Sequence, residues 1–196
     1  QAEADLQHYL KLLESAAPEA APERSEGPDH ARMMLARIAE RRGDYAAAEQ
    51  LLAAVDSPEQ ALTVQTRRAQ ILARQGKLAE AREAIRRVPE RSADDARLKL
   101  LAEAQLLRDN QQAALAYQLL SAEIEKTPDD DGLLYDAAMA AERANQLGTM
   151  ERLLRRVIEL KPDAAHAYNA LGYSLADRNL RLDEARTLIE KAVQLS

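Results

Sequence analysis

Apolar residues recur along this chain at spacings of three and four, and polar breaks cut the pattern into paired segments. Five segments run over residues 30–42, 62–75, 97–109, 131–144 and 165–178, each followed by a second over 45–56, 78–88, 112–126, 147–160 and 182–195. That spacing puts the apolar residues on one face of a helix, so the chain reads as helical hairpins, with helix A first and helix B second. The break inside the first four hairpins carries Gly43, Gly76, Gln111 and Asn145, at separations of 33, 35 and 34. Gly and Asn tolerate the left-handed backbone that ends a helix. Gln is less suited to it, so Asn110 is expected to take that role at the third break. Pro18, Pro22, Pro28, Pro58, Pro89, Pro128 and Pro162 all fall between periodic segments, as proline must if the segments are helices. Residues 1–17 hold one more amphipathic stretch, with Leu6, Tyr9, Leu10 and Leu13 on one face, which reads as the last helix of an earlier hairpin. Residues 18–28, rich in Pro, Ala and Glu, have no packing face and are expected to form a mobile loop.

A second pattern rides on the breaks. Ala36, Ala69, Ala104 and Ala138 stand seven residues before them, and Ala48, Ala81 and Ala116 five after. Small residues let two helices approach closely, so these positions mark the contact inside each hairpin. Leu52, Ile85, Leu120 and Leu154 follow four residues later as larger filling. Two positions depart from the pattern: Met150 stands where a small residue is expected, and Glu103 where an apolar one is usual.

Composition supports the same class. Hydrophobic residues make up 46% of the chain but aromatics only 3%, with no Trp and no Phe, so Ala and Leu must fill the core. Both are strong helix formers, and the fold class is all-α. No stretch of about 18 uncharged apolar residues occurs, so no membrane-spanning helix is expected. The chain opens on Gln1 rather than Met, which reads as a processed or excised piece. The absence of cysteine excludes disulfides and thiolate metal sites. A net charge of −6 argues against nucleic acid as a partner, although residues 62–91 hold eight Lys/Arg against three Asp/Glu. Within that stretch Arg67, Arg68, Arg74, Arg82, Arg86, Arg87 and Arg91 lack the interleaved aromatics that stack on bases, and read as a solvated outer face, the other reading being contact with an acidic protein surface. His8, His30 and His166 are scattered, and Asp129, Asp130, Asp131 and Gly132 lack the alternate ligands of a calcium loop, so capping of the next helix explains them better. No catalytic motif is present, and neither an enzyme activity nor a cofactor or metal is expected.

Tyr168, Leu171, Gly172, Leu175, Ala185 and Ile189 reproduce the signature of a tetratricopeptide repeat, with one extra residue between Asp177 and Leu182. The chain resembles that family over residues 29–196, in five repeats starting near residues 29, 62, 97, 131 and 165. The resemblance implies a right-handed superhelical stack of antiparallel helix hairpins whose concave groove, lined by helix A, binds other proteins. Carried onto this sequence, the groove residues are Met33, Arg37 and Arg41; Thr66, Gln70 and Arg74; Leu101, Gln105 and Arg108; Tyr135, Met139 and Arg143; and Asn169, Tyr173 and Asp177. The Lys/Asn clamp with which some chaperone-binding members hold a terminal carboxylate is not reproduced, Asn169 alone resembling part of it. Residues 97–196 are also similar to proteobacterial outer-membrane lipoproteins of this family, which implies a periplasmic adaptor, with a lipid anchor in the full-length protein, for a carboxyl-terminal processing protease and its substrates. The alternative is a structural assembly factor that spaces subunits of a pilus, envelope or polysaccharide-export machine.

Overall fold

The computed structural model describes residues 2–15 and 26–196, and among these every regular element is helical. In chain order they are α1 (Ala2–Ser15), α2 (Glu26–Arg42), α3 (Tyr45–Ala53), α4 (Ala61–Arg74), α5 (Leu78–Arg86), α6 (Ala93–Asp109), α7 (Ala113–Ile124), α8 (Asp131–Arg143), α9 (Leu147–Leu160), α10 (Ala165–Asp177) and α11 (Leu182–Gln194). One 3-10 turn, Pro58–Gln60, leads into α4. No helix among the described residues is long and apolar enough to cross a membrane. The chain forms two compact units, residues 1–99 and 100–196, with α6 running through the boundary.

One turn geometry recurs inside every hairpin. Gly43, Gly76, Gln111, Asn145 and Asn179 all have positive φ, between 55° and 80°. The next residue then donates its N–H back five residues: Asp44 to Ala39, Lys77 to Leu72, Gln112 to Leu107, Gln146 to Ala141 and Leu180 to Leu175, at 2.8–3.0 Å. These bonds satisfy carbonyls that the helix end leaves without partners. At the third turn Gln111 itself takes the left-handed conformation, at φ 61°, rather than Asn110. Asn110 instead folds its side-chain amide onto the Leu106 carbonyl, at 2.8 Å. In the last turn the extra residue makes Arg181 the cap of α11, and it too is left-handed, at φ 43°.

In the first unit α2 pairs with α3 and α4 with α5. Ala36, Ala48, Leu52, Val64 and Ile71 form a buried cluster there, with Met33, Tyr45 and Leu51 packed around it. α1 packs on α2, where Arg42 donates to Glu3 at 2.8 Å. In the second unit α7 packs on α8, α8 on α9, α9 on α10 and α10 on α11. The small residues on either side of the turns are buried as their spacing requires, from Ala36 and Ala48 through Ala104 and Ala116 to Ala185. Met150 is fully buried as well. Its partner helix α8 carries Ala137, Ala138, Ala140 and Ala141, all fully buried, so volume added on one helix is removed from the other. Glu103 is buried too, at 5% exposure.

Several boundaries differ from the periodicity. α2 takes Glu26, Gly27 and Pro28 into its first turn, where proline's missing N–H is no loss. The rest of the loop expected over 18–28 lies outside the described residues, apart from these three. α6 starts at Ala93 rather than 97, because Ser92 Oγ accepts from the Asp95 N–H at 3.1 Å and the Asp95 carboxylate accepts from the Arg91 N–H at 2.8 Å, a reciprocal cap. α3 and α5 stop early, at Ala53 and Arg86.

The three consecutive aspartates are all engaged. Asp130 caps α8 by accepting from the Leu133 N–H at 2.9 Å. Asp129 pairs with Arg156 at 2.7 Å and Asp131 with Lys161 at 3.7 Å, both on the α9 side.

Candidate functional site

The helix-A residues are placed by helical spacing, and their environments divide them. In the first unit, Met33 is half-buried against the core cluster, while Arg37 and Arg41 on later turns of α2 are exposed. α4 repeats the arrangement, with Thr66 half-buried and Gln70 and Arg74 exposed. α2 and α4 are tied to each other where Arg67 reaches the nearly buried Glu40, at 3.7 Å. Arg67 and its neighbour Arg68, which pairs with Glu49 on α3, are therefore struts between helices. They are not part of the solvated basic face in which the sequence placed them.

In the second unit the row is built on α6, α8 and α10. Leu101 is half-buried and Gln105 exposed. Gln105 donates to Asp109 at 2.7 Å and accepts from Arg108. Arg108 is mostly covered, its guanidinium 3.6 Å from the Asp136 carboxylate and donating to the Asp136 carbonyl at 3.4 Å. It joins α6 to α8 and is not the free cation expected from the row.

Tyr135 on α8 is half-buried, its ring meeting that of His166 on α10 edge to face, with centroids 4.5 Å apart at 85°. Burial, with Asp136 beside it, pushes the Tyr135 phenol up from its ordinary pKa, so it stays a neutral hydroxyl. Met139 next to it is half-buried and Arg143 exposed. Asn169, Tyr173 and Asp177 climb α10 at four-residue steps, all exposed, Tyr173 by 68%.

The candidates thus stand on α2 and α4 in the first unit and on α6, α8 and α10 in the second, with the first residue of each helix's set half-buried except exposed Asn169. The helix-A row leaves out Asp136 and His166, the latter read only among the scattered histidines. His166 stands three residues before Asn169, the spacing that shares a helix face, and that signal was available. The Arg108–Asp136 pair joins different hairpins and had no local signal. Among the described residues no three His, Cys, Asp or Glu side chains gather where a metal could be held. The chemistry this surface offers is noncovalent: aromatic and thioether contact, guanidinium hydrogen bonds and amide recognition.

Comparison with known proteins agrees with the repeat. The tetratricopeptide repeat model matches residues 33–96 and 135–196. A TPR repeat-containing protein of Pseudomonas aeruginosa is 39% identical over 168 residues, covering 86% of this chain. The chain spans only 28% of that relative's length. Among solved structures, MamA aligns with a TM-score of 0.53 and 16% identity, over 82% of this chain and 94% of its own. YrrB, described as a TPR protein with an unusual peptide-binding site, aligns at 0.51 with 17% identity, over 100% of this chain and 94% of its own.

Proposed function

Because the chain belongs to the tetratricopeptide repeat family, we propose that it is a non-enzymatic scaffold whose helix-A faces hold segments of another protein. The observation that carries this reading is Tyr173. A large aromatic side chain stands 68% exposed on the same helix face as Asn169 and Asp177, adding little to the core. Tyr, Met and Arg are the residues enriched where proteins meet. Within this reading the chain is a periplasmic adaptor of the bacterial envelope, anchored at the outer membrane, for a carboxyl-terminal processing protease and its substrates. The support for that finer role is the sequence likeness of residues 97–196 to envelope lipoproteins of this family.

The test has two parts. A pulldown from envelope extract identifies the partner: a protease with its substrates supports the adaptor, and subunits of an assembly machine replace it with a spacer role. Titration calorimetry against that partner then compares variants. Anchor residues cost about 2 kcal/mol or more on truncation, so Tyr173→Ala weakens binding at least tenfold while the melting temperature is unchanged. Tyr135→Ala weakens it too but also removes the contact with His166, so Tyr135→Phe, which keeps the ring, separates the two effects. Charge reversal of Arg86 and Arg87 on the α5 side changes affinity less, and mainly at low salt. Wild-type binding by Tyr173→Ala, together with loss in the Arg86 and Arg87 variant, sinks the helix-A reading.

A further inference from the structure

Seven arginines stand on α2 and α4, and their partners divide them. Arg32 pairs with Asp29 at 2.9 Å, Arg42 with Glu3, Arg67 with Glu40 and Arg68 with Glu49. The other three are Arg37, Arg41 and Arg74, all exposed. Among the described residues these three have no carboxylate partner. They are also the three arginines of the helix-A row in this unit. Among the described residues Asp29, Glu40 and Glu49 face the arginines off the row, Glu40 on α2 lying 3.7 Å from Arg67.

Geometry makes these cations a site for one shape of ligand. Arg37 and Arg41 are one helical turn apart, a rise of about 6 Å. Arg74 lies on α4, which the Arg67–Glu40 contact and the shared core cluster link to α2. In an extended peptide, side chains on one face repeat about every 6.8 Å, close to the Arg37–Arg41 step. Guanidinium groups grip carboxylates through paired hydrogen bonds. Half-buried Met33 and Thr66 offer less polar ground at the base. None of the six tyrosines stands on α2 or α4, so bases would find nothing aromatic to stack on.

We propose that the α2–α4 face of the first unit docks an extended acidic segment of the partner protein, alternate Asp or Glu side chains of which are held by Arg37, Arg41 and Arg74. The proposal rests on the scaffold reading above and names the chemistry of the segment held at this part of the row.

Fluorescence anisotropy tests it on the full chain, using a labelled peptide of about nine residues, roughly 30 Å when extended, with Glu alternating with Ser and both ends blocked. Saturable binding is expected, weakening as salt rises and falling at least tenfold when the peptide's Glu are replaced by Gln. The Arg37→Glu, Arg41→Glu double variant loses the peptide at least tenfold, and Arg87→Glu keeps it. Arg37→Gln, Arg41→Gln serves as a second variant that adds no new charge, with circular dichroism confirming that both fold. Equal binding by wild type and either double variant, no binding at all, or tighter binding of a single-stranded oligonucleotide of equal charge overturns the proposal. The natural partner separates this failure from that of the scaffold reading. If Tyr173→Ala weakens the partner and the Arg37 and Arg41 variants do not, the acidic-segment proposal falls and the scaffold stands. If no helix-A variant weakens the partner, the scaffold reading falls with it.

Discussion

A single methyl group is enough to test the packing at Gly172. A Cβ built there would stand 2.8 Å from Ile189 Cγ1 and 3.0 Å from the Ala185 carbonyl, whereas one at Gly148 would meet nothing within 4 Å. Overpacking a tight contact typically costs about 1–3 kcal/mol, and an exposed helical Gly replaced by Ala gains up to about 1 kcal/mol. Urea midpoints should therefore fall for Gly172→Ala and hold or rise for Gly148→Ala. Equal midpoints would mean that α10 and α11 are not in close contact. The same logic covers Ala81→Leu and Ala116→Leu, both at fully buried positions, against exposed Ala79→Leu. At this scale the sequence was most readable. Gly172 and the alanines announced themselves by size, because only a small residue fits where two helices touch. What stayed hidden was compensation: Met150 fits because α8 gives up volume at four alanines, a trade between two helices that no single position displays. Gln111 was hidden for a similar reason. The hairpin fixes which residue must be left-handed, and position outweighs the preference that pointed to Asn110.

Among elements, the joint between α9 and the start of α11 is held by charge. Glu151 accepts from Arg155 at 2.9 Å and from Arg181 at 2.6 Å, Arg155 reaches Glu184 at 2.7 Å, and Arg181 approaches Glu184 at 3.5 Å, closing a ring of alternating sign. The Arg181 hydrogen bond above all, with Arg155 adding to it against the opposing effect of burial, holds the Glu151 carboxyl below its ordinary value. A carboxyl lowered in the folded state contributes stability above the unfolded pKa of about 4.3, and that contribution is lost as pH falls through the lower folded pKa. Glu151→Gln should thus melt below wild type at about pH 7, with the gap closing towards about pH 3. A gap of equal size at both would remove the carboxylate from the account. Helix limits were partly legible. The Ser92 and Asp95 cap is a local signal at the right spacing, but the apolar periodicity of 97–109 outweighed it. The Arg67–Glu40 and Arg108–Asp136 struts join different hairpins, and nothing short-range in the sequence marks them, so both arginines read as free.

Over the whole molecule the two units differ in how much they bury. Among the described residues, the second unit has roughly twice as many buried apolar side chains as the first. In repeat proteins stability accumulates from each repeat and its neighbours, and amide protection follows local burial. Native-state hydrogen exchange should therefore show slower amides in α8 to α10 than in α2 to α5, and uniform protection would contradict it. The all-α class and the order of hairpins were legible at this scale because one turn is reused at nearly constant spacing. The division near residue 99 was not, because α6 crosses it with unbroken helical periodicity. The exposure of Tyr173 has an optical consequence. The chain contains no tryptophan, so light at the red edge of the protein absorption band leaves it dark, and any indole emission from a mixture belongs to the bound protein. Excited slightly further to the blue, the phenol of Tyr173 becomes a donor poised at the proposed contact. An indole that docks beside it should quench tyrosine emission and brighten its own, and because six tyrosines share that excitation, the part of the transfer lost in Tyr173→Phe is the part that reports an indole on α10.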